Sequence, residues 1–162
     1  MRHLTAPRCG SPARGLTLIE VMVALVILAL TITVAGPHFG DFIVNTRMRE
    51  GANSLQAQAL YAQSEALKRN ATVRLTITSG AAQVTLAANG TVLRTHTLTN
   101  GLGADAGTID FGSNGLPLPF GTELAINVGH TGTTCSQDMR CPGLRIDGGG
   151  GIRVCSNKLS CT

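Results

Sequence analysis

The chain has 162 residues, enough for one domain with a modest core. It has no Trp and only 3% aromatic residues, so Leu, Ile, Val and Ala must build that core. The net charge of +4 does not mark a nucleic-acid binder: three of the thirteen basic residues, Arg2, Arg8 and Arg14, fall in the first fifteen positions, where no acid occurs, which leaves ten basic against nine acidic residues beyond them.

Residues 1–15 form a short basic segment rich in Pro and Gly. From Leu16 to Ala35 twenty residues carry one formal charge, Glu20. At a rise of about 1.5 Å per residue such a helix covers roughly 30 Å, the thickness of a bilayer core. A carboxylate in that span costs roughly 2.5–3.5 kcal/mol, so Glu20 calls for a partner. Basic residues before the span predict that this side stays cytoplasmic and that everything after Pro37 is exported. An ordinary secretory signal, cut after the small residues Val34-Ala35-Gly36, is the competing reading, but it gives no role to the register of Arg14-Gly15, Glu20 and Pro37.

Pro37 removes a backbone donor and crowds the preceding turn, which predicts a kink or local loosening in a helix that resumes at once. Beyond it Met48, Ala52, Leu55, Ala59, Ala62 and Ala66 recur at alternating steps of four and three, one apolar stripe facing a core. Arg47, Arg49, Glu50, Gln56, Gln63 and Lys68 fall on the other faces. Asn70 is the predicted C-terminal stop.

After Asn70 the period becomes two. Val73, Leu75 and Ile77 alternate with Arg74, Thr76 and Thr78, and Val84 and Leu86 continue the pattern to Asn89-Gly90, a dipeptide suited to a tight type I′ hairpin turn. Thr91 to Leu98 reads as the returning strand. Residues 99–121, rich in Gly, Asn and Pro, predict one short strand near Thr108–Phe111. Leu124, Ile126 and Val128 form a further strand. Leu144-Arg145-Ile146 and Ile152-Arg153-Val154 flank Gly148 to Gly151 as a last hairpin, with Arg145 and Arg153 pointing outward on one face. The fold class is α+β: a long N-terminal helix on an antiparallel sheet.

Cys135, Cys141, Cys155 and Cys161 all lie in the last 28 residues, and an even number in an exported tail reads as two disulfides. The C-x5-C spacing, used twice, suggests the local loops Cys135–Cys141 and Cys155–Cys161, and leaves open the nested pairing of Cys141 with Cys155 inside Cys135 with Cys161. A zinc site is the rival, although structural sites place two to four residues between paired cysteines. His3, His38, His96 and His130 have neither a nucleophile motif nor metal-ligand spacing. Gly148 to Gly151 lies between strands rather than before a helix, so it reads as a turn and not a phosphate loop. No catalytic residue, cofactor or metal is expected, and the chain does not read as an enzyme.

Arg14-Gly15, the apolar run, Glu20 and Pro37 together resemble a type IV prepilin, and Tyr61-Ala-Gln-Ser-Glu-Ala-Leu-Lys-Arg-Asn70 resembles a segment of the minor-pilin and pseudopilin group that includes FimT, FimU and GspH. The resemblance implies cleavage by a prepilin peptidase between Gly15 and Leu16 and N-methylation of Leu16. It further implies a pairing of Glu20, at the fifth mature position, with the new amine of the same or a neighbouring subunit, which a low dielectric would favour. It implies a type IV pilin fold with 1–15 as leader, 16–37 as the membrane-spanning half of the helix, 38–70 as its exported half and 71–162 as a β-sheet domain with a disulfide-bonded C-terminal region. The implied partners are other minor pilins, the major pilin, the peptidase and, before assembly, inner-membrane lipid. The implied place is the bacterial inner membrane, single-pass with the sheet domain in the periplasm, and then a pilus. The implied role is structural, in an initiation or tip complex. A pseudopilin of type II secretion is the neighbouring alternative. A DNA-binding minor pilin is another: FimT-type pilins use a C-terminal GRxR-like motif, of which Gly151-Ile152-Arg153-Val154 keeps the Gly and one Arg. Arg140, Arg145, Arg153 and Lys158 would then form the basic patch.

Overall fold

The computed structural model describes residues 15–99, 101–136, 139–157 and 159, and for 34–38 the backbone alone. Among the described residues one helix, α1 (Leu18–Arg69, 52 residues), leads into nine strands. The chain divides into two compact units, Met1–Phe39 and Gly40–Thr162.

In the first unit α1 begins after Thr17, whose Oγ1 accepts the Glu20 N–H at 3.3 Å. This is half of a capping box: a hydroxyl satisfies an amide of the first turn, which has no partner inside the helix. The helix then runs unbroken through Pro37. Among the described residues no helix is long and apolar enough to cross a membrane. The expected span extends into 34–38, whose side chains lie outside the described residues.

In the second unit the expected stripe is the core. Met48, Ala52, Leu55, Ala59, Ala62 and Ala66 are each fully buried, and four of the six are alanines, which bring the strand layer close to the helix axis. The helix stops as the sequence predicts, and the mechanism is a Schellman motif. Asn70 takes φ 50°, its N–H bonds the Leu67 carbonyl at 3.4 Å, and the Ala71 N–H bonds the Ala66 carbonyl at 3.2 Å. In the last turn Glu65, itself buried, pairs with Arg69 and Lys68. The Arg69 hydrogen bond outweighs burial and, with Lys68, holds the Glu65 carboxyl below its ordinary value.

The strands form two antiparallel sheets rather than the single sheet expected from the sequence. The first has the order β3 (Val92–Thr97), β2 (Ala81–Leu86), β1 (Val73–Ile77), β5 (Gly107–Phe111), β6 (Pro117–Leu118); the second runs β4 (Leu102–Ala104), β7 (Leu124–His130), β8 (Gly143–Ile146), β9 (Ile152–Cys155). Across the first, Val84, Leu75 and Ile109 lie in one register row, all buried; across the second, Ile126 and Leu144 are buried and Val154, next in the row, is half-buried against them. On the outer face Arg74 sits opposite Asp110 and donates Nε and Nη2 to its two carboxylate oxygens at 2.7 and 2.8 Å. That bidentate pairing raises the Arg74 pKa and pins the β1–β5 register.

The expected turn also needs correction. Asn89-Gly90 does not form a two-residue type I′ turn. That turn requires positive φ at both residues, and of the pair only Gly90 has it, at 69°. The Leu86 N–H bonds the Thr91 carbonyl and the Gly90 N–H bonds the Leu86 carbonyl, both at 2.9 Å, so the loop holds four residues and Gly90 closes it. Off the apolar stripe of α1, Gln56 and Gln63 both reach across to the strands. Gln56 Nε2 donates to the Ile152 carbonyl at 3.3 Å. Gln63 Nε2 donates its two protons to Gly115 O at 2.9 Å and to Gly150 O at 3.0 Å, joining the β5–β6 turn of one sheet to the β8–β9 turn of the other.

Gln63→Glu replaces both donors by acceptors facing two carbonyls. It is expected to lower stability by about 2–3 kcal/mol, read as a shifted urea midpoint with unchanged slope. An unmoved midpoint would mean that water serves those carbonyls equally well.

Candidate functional site

The first candidate region is the start of α1. Gly15 and Leu16 precede the helix, and Leu16 is exposed. Glu20 is the one acid of the first turn, where the partial positive charge of the helix N-terminus favours a carboxylate. Its side chain is exposed and its own amide is held by Thr17. Sequence reasoning passed over Thr17, although Thr17-Leu18-Ile19-Glu20 fits the capping-box pattern that would have found it. From Leu16 to Ile32 every Leu, Ile, Val and Met stands exposed, from 44% at Val21 to 78% at Leu18. These residues include consecutive ones, so the apolar surface wraps the whole helix rather than forming a stripe.

The second region is the C-terminal hairpin and the loop before it. Cys135 and Cys141 are disulfide-bonded with their Cα atoms 5.6 Å apart, which excludes the nested pairing. Cys155 is disulfide-bonded as well; Cys161, its expected partner, lies outside the described residues. The small Cys135–Cys141 loop is tied to α1, because the Arg140 N–H donates to Asn45 Oδ1 at 3.0 Å.

Arg145 and Arg153 are cross-strand partners on β8 and β9, as the alternation predicts. Both are engaged within the fold. Arg145 is half-buried and donates to the carbonyls of Ile126 and Leu144 and to Asn127 Oδ1 at 2.9 Å. Asn127 Nδ2 in turn donates to Asp105 at 2.7 Å, which extends the network to an acid. Arg153 pairs with Asp147 at 3.4 Å. Arg140 lies on the disulfide loop, apart from this pair in sequence, and Lys158 lies outside the described residues. Two of the four expected cations are thus adjacent but paired with polar or acidic groups of the same fold. His96 falls in β3 and His130 ends β7, where its Nδ1 lies 3.0 Å from the Thr131 carbonyl. Among the described residues no group of His, Cys, Asp and Glu is arranged to hold a metal. The side chain of Pro37 lies outside the described residues.

A family profile described as type II transport protein GspH matches residues 51–155, and a second, the prokaryotic N-terminal methylation motif, matches residues 10–36. Among solved structures the chain is similar to the type IV minor pilin FimU of Pseudomonas aeruginosa. In one crystal form the TM-score is 0.58 at 22% identity, covering 70% of this chain and 91% of that one. In a second form the TM-score is 0.54 at 23% identity, covering 65% and 90%. At these identities the likeness speaks to the fold. No curated protein matches the chain. The GspH profile covers both sheets and most of the core, and the methylation motif covers the residues around Gly15 and Glu20: the chain belongs to the GspH family of minor pilins and pseudopilins, whose members are structural subunits.

Proposed function

We propose that this chain is a minor pilin that is inserted in the bacterial inner membrane, cut between Gly15 and Leu16, methylated on Leu16 and drawn into a type IV pilus as a structural subunit of an initiation or tip complex. One observation carries the reading: from Leu16 to Ile32 every Leu, Ile, Val and Met is exposed, around the whole helix, and none of the described residues covers them. Such a surface is stable only in lipid or among other apolar helices, and a pilin passes from the first to the second. Pro37 would let the two stretches of α1 adjust their angle during that transfer, and Cys155–Cys161 would close the C-terminal tail beside Cys135–Cys141.

Glu20 fits the transfer. Cleavage creates an amine four residues before it, and a carboxylate that meets this amine on a neighbouring subunit loses its insertion cost at the moment of packing. Glu20→Ala is expected to be cleaved normally yet to fall about tenfold in sheared fibres, measured by mass spectrometry of the first mature peptide. Wild-type recovery of that variant in the fibre would remove the pairing role.

The GspH profile favours a second reading, in which the same processed helix enters the short fibre of a type II secretion system. The fibre with which the chain co-purifies separates the two. A DNA-receptor role has less behind it, since Arg145 and Arg153 already serve Asn127 and Asp147. Salt-sensitive DNA binding that is lost in Arg145→Ala and Arg153→Ala would restore it.

A further inference from the structure

A cavity of about 500 Å³ opens beside α1 in the second unit. Its floor on the helix is the row Phe42, Asn45, Thr46, Arg49 and Asn53, residues spaced to share one face. Opposite stand Arg140 and Pro142 from the disulfide loop and Val154 and Ser156 from the C-terminal hairpin. Arg49 and Arg140 are ninety-one positions apart in sequence, and the fold brings both to the rim of one cavity.

Among the described residues no carboxylate lines this cavity, and neither guanidinium has an ion pair. The contrast with Arg69, Arg74 and Arg153 is direct, because each of those has an acid partner within the fold. Arg140 is also held in place: its own backbone N–H is anchored on Asn45, and its loop is closed by Cys135–Cys141. A guanidinium on a tethered loop loses less freedom on binding than one on an open loop.

On the reading of the chain as a fibre subunit, we infer that this cavity receives an acidic segment of a neighbouring pilin, a carboxylate side chain followed or preceded by an apolar one. The two guanidinium forks match a carboxylate, with the amide of Asn53 and the hydroxyl of Ser156 as further donors. The rest of the lining includes Phe42, Pro142 and Val154, which are apolar and have nothing to offer a phosphate backbone. Nor do the walls present the row of aromatic rings on which nucleotide bases stack. The volume suits two or three side chains rather than an extended polyanion.

The test uses the full chain, expressed with its companion pilins, and two changes. A photo-crosslinking benzoylphenylalanine placed at Thr46, which lines the cavity without a role in holding the carboxylate, should capture a peptide of another pilin that contains Asp or Glu, and the capture should vanish in the Arg49→Glu/Arg140→Glu double variant. Both arginine side chains are exposed, so that variant should keep the wild-type circular dichroism and be cleaved normally, while its recovery in sheared fibres falls about tenfold. A crosslink to DNA or lipid, no crosslink from a chain that is itself in the fibre, or undiminished incorporation of the double variant would each overturn the acidic-peptide site and leave the subunit reading standing. Absence of the unsubstituted chain from fibres would overturn the subunit reading, and the proposed occupant with it.

Discussion

Gly15→Val is expected to reduce release of residues 1–15 to background while leaving the fold unchanged. A Cβ built on Gly15 meets nothing within 4 Å, and the residue does not have a left-handed φ. Neither packing nor backbone strain therefore opposes the substitution, and the core it would have to disturb begins only with Met48 and its half-buried neighbour Val44. A loss of processing then reports on the approach of a peptidase to the backbone, where a branched side chain stands in the way. The measurement is the mass of the mature N-terminus beside the thermal unfolding curve. Normal trimming of the variant would remove the assigned cut site, and an altered melting temperature would show that Gly15 serves the fold instead.

The second large effect is on stability. Among the described residues Phe111 is the largest fully buried side chain, at the end of β5 with Val73 opposite on β1 and Pro117 opposite on β6. Truncation to Ala removes its transfer energy and leaves a cavity between two strands whose backbones are fixed by ladder bonds, so the site cannot collapse. The cost is about 3–5 kcal/mol. Against a total of about 5–15 kcal/mol for a domain of this size, that loss is large enough to leave part of the population unfolded in the cell. With no Trp in the chain, far-UV circular dichroism is the suitable probe. A drop under about 1 kcal/mol would mean that the strands relax inward after all. Phe111→Leu, which keeps most of the volume, should recover more than half of the loss.

What was legible in the sequence is what apolar periodicity encodes. The stripe from Met48 to Ala66, the strands at Val73 and Leu124, the last hairpin and the stop at Asn70 all follow from spacing and from residues with special backbone preferences. The C-x5-C spacing suggested the Cys135–Cys141 loop but left the nested pairing open, and the fold decides between them. The two-sheet division did not, because β4 and β6 have three and two residues and contain Gly or Pro, too short for a period to show. The contacts of Gln56 and Gln63 were not legible for a related reason: helical spacing reports where apolar side chains point, and is silent on a glutamine that reaches two distant carbonyls. The same holds at the candidate sites. Cross-strand placement of Arg145 and Arg153 could be read from alternation, but their engagement with Asn127 and Asp147 depends on residues brought near only by the fold. Arg49 and Arg140 share a cavity for the same reason, and no motif joins them.

Every described core residue lies beyond Gly40. Loss-of-function alleles should accordingly sort into two phenotypes. Changes in the sheets and in the helix from Met48 onward lower the steady-state amount of protein, because quality control removes what cannot fold. Changes between Gly15 and Ile32 leave abundance at wild-type levels and still silence the gene product, so an immunoblot of whole cells tells the two apart before any fibre is purified.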